Sequence, residues 1–146
     1  MATEIDQSGK VEYTSHTTAI ADSSGNSVIV TKSTKRTIQL AFRQANRPRL
    51  FVYETFCAAI AILISKSFSP EQSYLIDTEY PGKSDLLKGL VLKFCRKLGL
   101  KIQTSQISFG RISKNSIADS TAHTEFVMAK VSSKLTAEQV LSLVLA

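Results

Sequence analysis

The clearest indication of the fold is the stretch Ser73-Tyr74-Leu75-Ile76-Asp77, which is followed by the turn Tyr80-Pro81-Gly82. The stretch is short, β-prone and half apolar, which predicts a buried strand. Ser84 then begins a helical pattern, which Gly99 ends. Its apolar positions are Leu86, Leu87, Leu90, Val91, Phe94 and Leu98. A strand that returns through a helix adds to its sheet in parallel by a right-handed crossover, so we expect an α/β domain.

The residues before this stretch predict an antiparallel region and a core helix. Short β-rich runs at 3–6, 17–21 and 27–31 are separated by turns, and the last two read as a hairpin. We expect residues 37–42 to prolong this β-rich region. Pro48 suits a first helical turn, and the helix expected over 50–66 is apolar on nearly every side, which predicts burial.

The residues after it predict one more strand and two more helices. Residues 101–109 are strand-like, 115–131 form a third helix, and 136–139 resemble a capping box for a C-terminal helix. The expected order is β-β-β-α-β-α-β-α-α. It predicts a single domain over 1–146, with a mixed five-stranded sheet between helices in three layers.

Composition excludes several classes of protein. Hydrophobic residues are 43% and charged residues 21% of the 146, which is typical of a globular domain. The longest apolar run, 56–64, is too short for a membrane span of about 20 residues. The N-terminus lacks the pattern of a secretory signal. Cys57 and Cys95 lie in apolar helical patterns and read as buried thiols, so we expect a cytoplasmic protein.

Four carboxylates occupy positions that favour a shared site. Asp6 ends the first strand, Glu54 lies in the apolar helix, Asp77 ends the fourth strand and Asp119 lies early in the third helix. Ligands bind at the carboxyl ends of parallel strands, and clustered carboxylates need a divalent cation such as Mg²⁺ or Mn²⁺. Each position also has a structural alternative, namely a turn for Asp6 or Asp77, an outward face beside Arg47 or Arg49 for Glu54, and a helix start for Asp119.

This ordering resembles the ribonuclease H superfamily, whose fold is β-β-β-α-β-α-β-α. The segment Asn115-Ser116-Ile117-Ala118-Asp119-Ser120-Thr121-Ala122 is similar to the family pattern N-x-x-A-D-x-x-A, and Asp77 is similar to the family's Asp at the end of its fourth strand. The resemblance covers about residues 3–133. It implies that Asp6, Glu54, Asp77 and Asp119 hold two Mg²⁺ or Mn²⁺ ions and hydrolyse phosphodiester bonds.

The substrate and the first ligand have alternatives. The first strand reads Asp6-Gln7-Ser8-Gly9 where the family commonly has Asp-Gly-Ser, so an RNA–DNA hybrid, a duplex or a junction are all candidate substrates. Asp22 is a rival first ligand, although we place it at the tip of a hairpin. A non-catalytic nucleic-acid-binding or assembly module and an enzyme acting on a small phosphate ester are the alternative functions.

Basic residues provide candidate nucleic-acid contacts. The net charge of +6 and a pI near 9.4 favour a polyanion partner. Phosphate contacts are predicted on the second helix and around the loop before Asn115, at Lys88, Lys93, Arg96, Lys97, Arg111 and Lys114. His123 lies one helical turn after Asp119 and is a possible auxiliary group, with ordinary helix packing as its alternative.

Overall fold

Five strands form one mixed sheet in the computed structural model, which describes residues 2–112 and 133–145. The sheet order is β3-β2-β1-β4-β5. The strands are β1 Thr3–Ser8, β2 Thr18–Asp22, β3 Ser27–Val30, β4 Tyr74–Asp77 and β5 Ile107–Gly110. The first three pair antiparallel, whereas β4 joins β1, and β5 joins β4, in parallel. The expected α/β class, mixed sheet and antiparallel-then-parallel arrangement are confirmed.

Four α-helices accompany this sheet within the described residues. They are α1 Lys32–Gln44, α2 Phe51–Ser65, α3 Ser84–Lys97 and α4 Ala137–Val144. The capping box expected before α4 is present, because the Thr136 and Gln139 side chains each accept a hydrogen bond from the other's backbone N–H. The expected third helix over 115–131 lies outside the described residues.

Helix α1 corrects the expectation that residues 37–42 prolong the β-rich region. The Thr31 side chain caps the helix by accepting a hydrogen bond from Thr34 N. Ile38 and Phe42, one turn apart, are both buried, which is a helical and not an alternating pattern. The strand expected over 101–109 is also shorter than predicted, because residues 104–106 form a 3₁₀ turn before β5.

Helix α2 is the centre of the hydrophobic core. It contacts β2, β3, α1, α3 and α4, and eleven of its fifteen residues are buried. The window Pro48–Ser65 has a mean hydropathy of 1.5 and is long enough to cross a membrane, but 61% of it is buried inside the domain, as in the core helix of a soluble protein. Cys57 and Cys95 are buried free thiols in this core, as expected.

The strand register divides the side chains between two faces of the sheet. Ile5 pairs with Ile76, and both belong to the core cluster that includes α2 and α3. Side chains alternate along a strand, so Asp6 and Asp77 lie on the opposite face. Ala19 and Ala21 of β2 also lie on that opposite face and are fully buried. Both faces of this part of the sheet are therefore covered.

Four strands, all but β2, run in the same direction, so their carboxyl ends lie at one edge, which we call the carboxyl end of the sheet. The loop 9–17 between β1 and β2 crosses this end. The fully buried Lys35 of α1 holds the loop by donating hydrogen bonds to the carbonyls of Lys10, at 3.1 Å, and Tyr13, at 3.0 Å. The Tyr80 hydroxyl donates to Glu12 and ties the same loop to the segment after β4.

We expect the Lys35 contact to give a defined pH dependence. Burial lowers the pKa of the Lys35 ammonium from 10.5 to about 8, and the Glu12 charge opposes this. Between these two values the unfolded chain binds more protons than the folded protein, so stability increases with pH. The free energy of unfolding of the parent, measured relative to that of Lys35→Met by urea titration, should therefore rise from pH 8 to pH 10.5. A constant difference would contradict the burial of a charged Lys35.

Candidate metal centre

Three carboxylates meet at the carboxyl end of the sheet. Asp6 lies in β1, Asp77 is the last residue of β4, and Glu79 follows in the connection to α3. One ligand oxygen from each lies within 4.8 Å of the others. The pairing of Ile5 with Ile76 brings the next residues of the two strands side by side, and this pairing places Asp6 beside Asp77. We call Asp6, Asp77 and Glu79 the acidic group.

Backbone amides orient two members of the acidic group. Asp6 Oδ1 accepts a hydrogen bond of 2.8 Å from Gln7 N, and the side chain is 7% exposed. Asp77 Oδ1 accepts a hydrogen bond of 3.2 Å from Ile112 N. Asp77 is therefore held by the segment after β5 as well as by its own strand. These contacts fix where the carboxylates point before any ligand arrives.

Within the acidic group, the pKa of Glu79 is raised. Burial, together with the negative charge of Asp77, raises its pKa from 4.5 to about 7. Hydrogen bonding between the Glu79 and Asp77 side chains raises it further, whereas the nearby Lys10 charge and a hydrogen bond with Asp6 lower it. The buried surroundings and, after them, the Asp77 charge therefore disfavour the ionised form of Glu79.

The donor set of the acidic group fits a divalent cation. All three side chains offer carboxylate oxygens, which are the hard ligands that Mg²⁺ and Mn²⁺ prefer. A bound cation would favour the ionised form of Glu79, which burial and the Asp77 charge disfavour. Asp6, Asp77 and Glu79 are the residues that would hold it.

Glu79 is the residue that the sequence analysis missed. It stands two positions after Asp77, in the sequence Asp77-Thr78-Glu79-Tyr80, and the prediction stopped at the end of the strand. The available signal was a second carboxylate in the connection that leaves the carboxyl end of a parallel strand, where ligands bind in α/β sheets. Its participation depends on the conformation of that connection, which the local pattern does not specify.

Glu54 does not belong to the acidic group. It lies in the first turn of α2, which packs on the other face of the sheet, and it is 3% exposed. Its carboxylate forms an ion pair of 2.5 Å with Arg47, which also donates to the carbonyl oxygen of Val144 at the end of α4. Arg47 and Glu54 therefore join the start of α2 to α4. The sequence analysis gave a position beside Arg47 or Arg49 as the structural alternative for Glu54. The structure shows the contact with Arg47, but Glu54 is buried and does not face outward.

The rival first ligand, Asp22, has a structural role. Its side chain is 1% exposed and accepts hydrogen bonds of 2.9 Å from both Ser24 N and Asn26 N, which closes the turn between β2 and β3. Asp22 pairs with Ile5, so its side chain lies on the face of the sheet opposite to Asp6. Of the two alternatives, the structure brings Asp6 to the acidic group. The predicted ligand Asp119, the auxiliary His123 and the base Lys114 lie outside the described residues.

The basic residues predicted on α3 are distributed along a helix that leads away from the acidic group. The helix rises about 20 Å from Ser84 to Lys97, and it starts at the carboxyl end of the sheet. Lys97 donates to the carbonyl of Leu143 and Arg96 to that of Ile102. Lys93 and Lys97 also lie over the ring of Phe94. Half-buried Lys88 lies nearest to the start of the helix.

Arg111 lies at the same end of the sheet as the acidic group. It is exposed and stands between Gly110, whose carbonyl accepts from Thr78 N, and Ile112, whose N–H donates to Asp77. The backbone around Arg111 is therefore joined on both sides to residues of the Asp77 segment. Of the bases predicted from the sequence, Arg111 is the one closest along the chain to these contacts.

Comparison with protein-family models, with curated proteins and with solved structures gives no match to this chain. The fold and the acidic group define the molecule as an α/β domain with a mixed sheet and a candidate metal site at the carboxyl end of two parallel strands. This position is the one at which open α/β sheets bind ligands.

The acidic group should make the protein less stable as the pH rises in the absence of metal. The folded protein binds the Glu79 proton more tightly than the unfolded chain does, so the free energy of unfolding should fall between pH 4.5 and about pH 7. Glu79→Gln should flatten this part of the profile, measured by thermal melts in chelator. An equally steep fall in Glu79→Gln would show that another group causes it.

The Arg47–Glu54 pair should contribute to stability and not to metal binding. Arg47→Met leaves the Glu54 carboxylate buried without its partner, which costs on the order of 3 kcal/mol. Glu54→Gln should cost less, and the double variant should recover part of the loss, as measured by a double-mutant cycle of urea denaturation. If Glu54→Gln abolishes stabilisation by Mg²⁺, Glu54 is a metal ligand and this assignment is wrong.

Proposed function

We propose that this protein is a nuclease dependent on Mg²⁺ or Mn²⁺, built on a ribonuclease H-like fold, with Asp6, Asp77 and Glu79 among its metal ligands. The observation that carries the proposal is the convergence of three carboxylates within 4.8 Å at the carboxyl end of β1 and β4. Asp119, expected from the resemblance, is the proposed fourth ligand. In this proposal Glu79 replaces Glu54 as a metal ligand.

The element order supports this assignment. The described part of the chain has three antiparallel strands followed by two strands added in parallel, with α3 between β4 and β5. This is the order that the resemblance implied. The chain differs from the expected order by one element, because two helices and not one connect β3 to β4. Glu54 begins the second of these helices, and Arg47 between them pairs with it.

The proposed chemistry assigns distinct tasks to the ligands. A divalent cation held by Asp6, Asp77 and Glu79 would supply Lewis-acid chemistry toward a phosphodiester and would acidify a bound water. Asp6 and Asp77 are held in place by backbone N–H donors, so they offer oriented oxygens. Glu79 holds a proton below about pH 7, so metal binding displaces this proton, and affinity for the metal should increase with pH through neutrality.

A nucleic-acid substrate is favoured by the charge of the chain. The net charge of +6 attracts phosphodiesters in a sequence-independent and salt-dependent way. An RNA–DNA hybrid, a duplex or a junction fits this charge, and a small phosphate ester does not need it. A cytoplasmic location, inferred from the free thiols, is part of the proposal. The alternative function is a nucleic-acid-binding module that uses the same fold without cleavage.

The test uses Asp77→Asn, with Glu71→Gln as a matched control. Asp77→Asn removes one negative charge from the acidic group, whereas Glu71→Gln removes one from an exposed position between α2 and β4. In chelator we expect Asp77→Asn to melt at or above the temperature of the parent, because repulsion with Glu79 is relieved. Millimolar Mg²⁺ should raise the melting temperature of the parent and of Glu71→Gln but not of Asp77→Asn.

Cleavage is then measured on labelled hybrids, duplexes and junctions, with and without Mg²⁺ or Mn²⁺. We expect metal-dependent cleavage by the parent and a loss of at least about a hundredfold in Asp77→Asn. Metal-dependent stabilisation without cleavage of any substrate would favour the binding module. A parent whose melting temperature is unchanged by both ions, with Asp77→Asn strongly destabilised in chelator, would remove the metal site from the proposal.

A further inference from the structure

We propose that α1 presents a phosphate-binding stripe, formed by Lys32, Arg36 and Arg43, which binds the backbone of a nucleic acid engaged at the carboxyl end of the sheet. No basic residue of α1 was among the nucleic-acid contacts expected from the sequence, which were placed on the second helix and in the loop before Asn115. The identity of the polyanion rests on the proposed function, whereas the surface itself rests on the charge and exposure of α1.

The three cations form one narrow line along the helix. With 3.6 residues per turn, positions 32, 36 and 43 fall within about 40° of one another around the helix axis. All three are exposed, while Ile38 and Phe42 on another side of the helix are buried. The axial separation is about 6 Å between Lys32 and Arg36 and about 10 Å between Arg36 and Arg43. The charges therefore point in one direction and are spread along the helix, as in contacts to successive phosphates.

No acidic residue compensates this stripe along the chain. Residues 23–53 contain no Asp or Glu and carry six positive charges, which equals the net charge of +6 for the whole chain. The six are Lys32, Lys35, Arg36, Arg43, Arg47 and Arg49. Within residues 2–112 and 133–145 the ion pair is Arg47–Glu54, so no described carboxylate neutralises Lys32, Arg36 or Arg43. A single-sign surface of this kind attracts a polyanion.

The stripe begins at the same end of the sheet as the acidic group. Val30 ends β3 at the carboxyl end of the sheet, and α1 starts two residues later. Lys35 donates hydrogen bonds to the β1–β2 loop, and the stripe lies on the side of α1 next to Lys35. In that loop Lys10 is close enough to Glu79 for its charge to lower the pKa of that carboxyl. Lys10 thus connects the acidic group to α1, and we place the bound phosphate chain along Lys10 and then Lys32 and Arg36.

A nucleic acid fits this surface better than a lipid membrane does. A helix that binds a membrane surface needs an apolar face to bury in the lipid. The apolar side chains Ile38 and Phe42 are already buried in the domain. Leu40, 53% exposed, is the large apolar side chain that α1 leaves open, and single exposed apolar residues are ordinary on protein surfaces.

The experiment measures binding in chelator, so that it does not depend on cleavage. The test variant is Arg36→Gln with Arg43→Gln, and the control is Lys101→Gln with Lys134→Gln, which removes the same charge from other exposed positions. Binding to a labelled DNA duplex and to an RNA–DNA hybrid is followed by anisotropy at several salt concentrations. We expect the test variant to lose about two units of the log–log salt slope and at least about tenfold in affinity near 0.1 M salt. The control should keep the parent values.

The outcomes separate this proposal from the proposed nuclease. Equal losses in both variants would assign the effect to net charge and overturn the role of α1, and so would an unchanged slope in the test variant. A parent that binds vesicles containing phosphatidylserine but neither nucleic acid would overturn it in favour of a membrane. In each of these cases the Mg²⁺ melts of Asp77→Asn still decide the metal site, because they need no nucleic acid. Circular dichroism and melting of both variants confirm that the domain is folded.

Discussion

The parallel pairing of β1 with β4 is the constraint on which the candidate site depends. This pairing joins a strand of the antiparallel half to the first strand of the crossover half, and its register aligns Ile5 with Ile76. The same alignment sends both isoleucines into the core with α2 and sends Asp6 and Asp77 to the other face. A shift of one residue would bury a carboxylate against α2 and expose an isoleucine. The hydrophobic core and the acidic group are therefore fixed by one register.

The sequence predicted the elements whose signals are local. The β2–β3 hairpin, β4, α2, α3 and the capping box of α4 each have their pattern within about fifteen residues. Asp6 and Asp77 were accessible for the same reason, since each lies at or near the end of a recognisable strand. Helix α1 could not be predicted in this way. Its sequence contains β-branched residues, and its helical state depends on the burial of Ile38 and Phe42 against distant elements.

The remaining differences between the predicted and the observed site concern where a carboxylate lies and points, and not the type of residue. In a helix that is apolar on nearly every side, the hydrophobic pattern does not tell which face a single carboxylate occupies, so Glu54 was placed with the other acids. Its partner Arg47 stands seven residues earlier, across a break between two helices. Glu79 was missed for the opposite reason, because a turn and not a periodic element carries it. Both depend on how connections fold, and local patterns describe connections poorly.

The net positive charge is concentrated in one segment of the chain. Residues 23–53 carry the equivalent of its entire net positive charge, so the remainder is balanced. The acidic group draws its three carboxylates from that balanced remainder and stands at the same end of the sheet as the start of α1. A negatively charged centre beside an uncompensated positive helix attracts small cations to one place and large anions to the other.

The contacts of helix α2 come from segments that are made early and late along the chain. Its apolar surface is covered by β2, β3 and α1, which precede or adjoin it in sequence, but also by α3 and by α4, which begins 72 residues after α2 ends (residues 65 to 137). During synthesis α4 emerges after α2, so part of the apolar surface of α2 lacks its final cover until the end of α4 has been made. Closure by α4 brings the carbonyl of Val144 to Arg47 at the very turn where Glu54 is buried. The last described helix therefore completes the cover over α2, a helix from the middle of the chain.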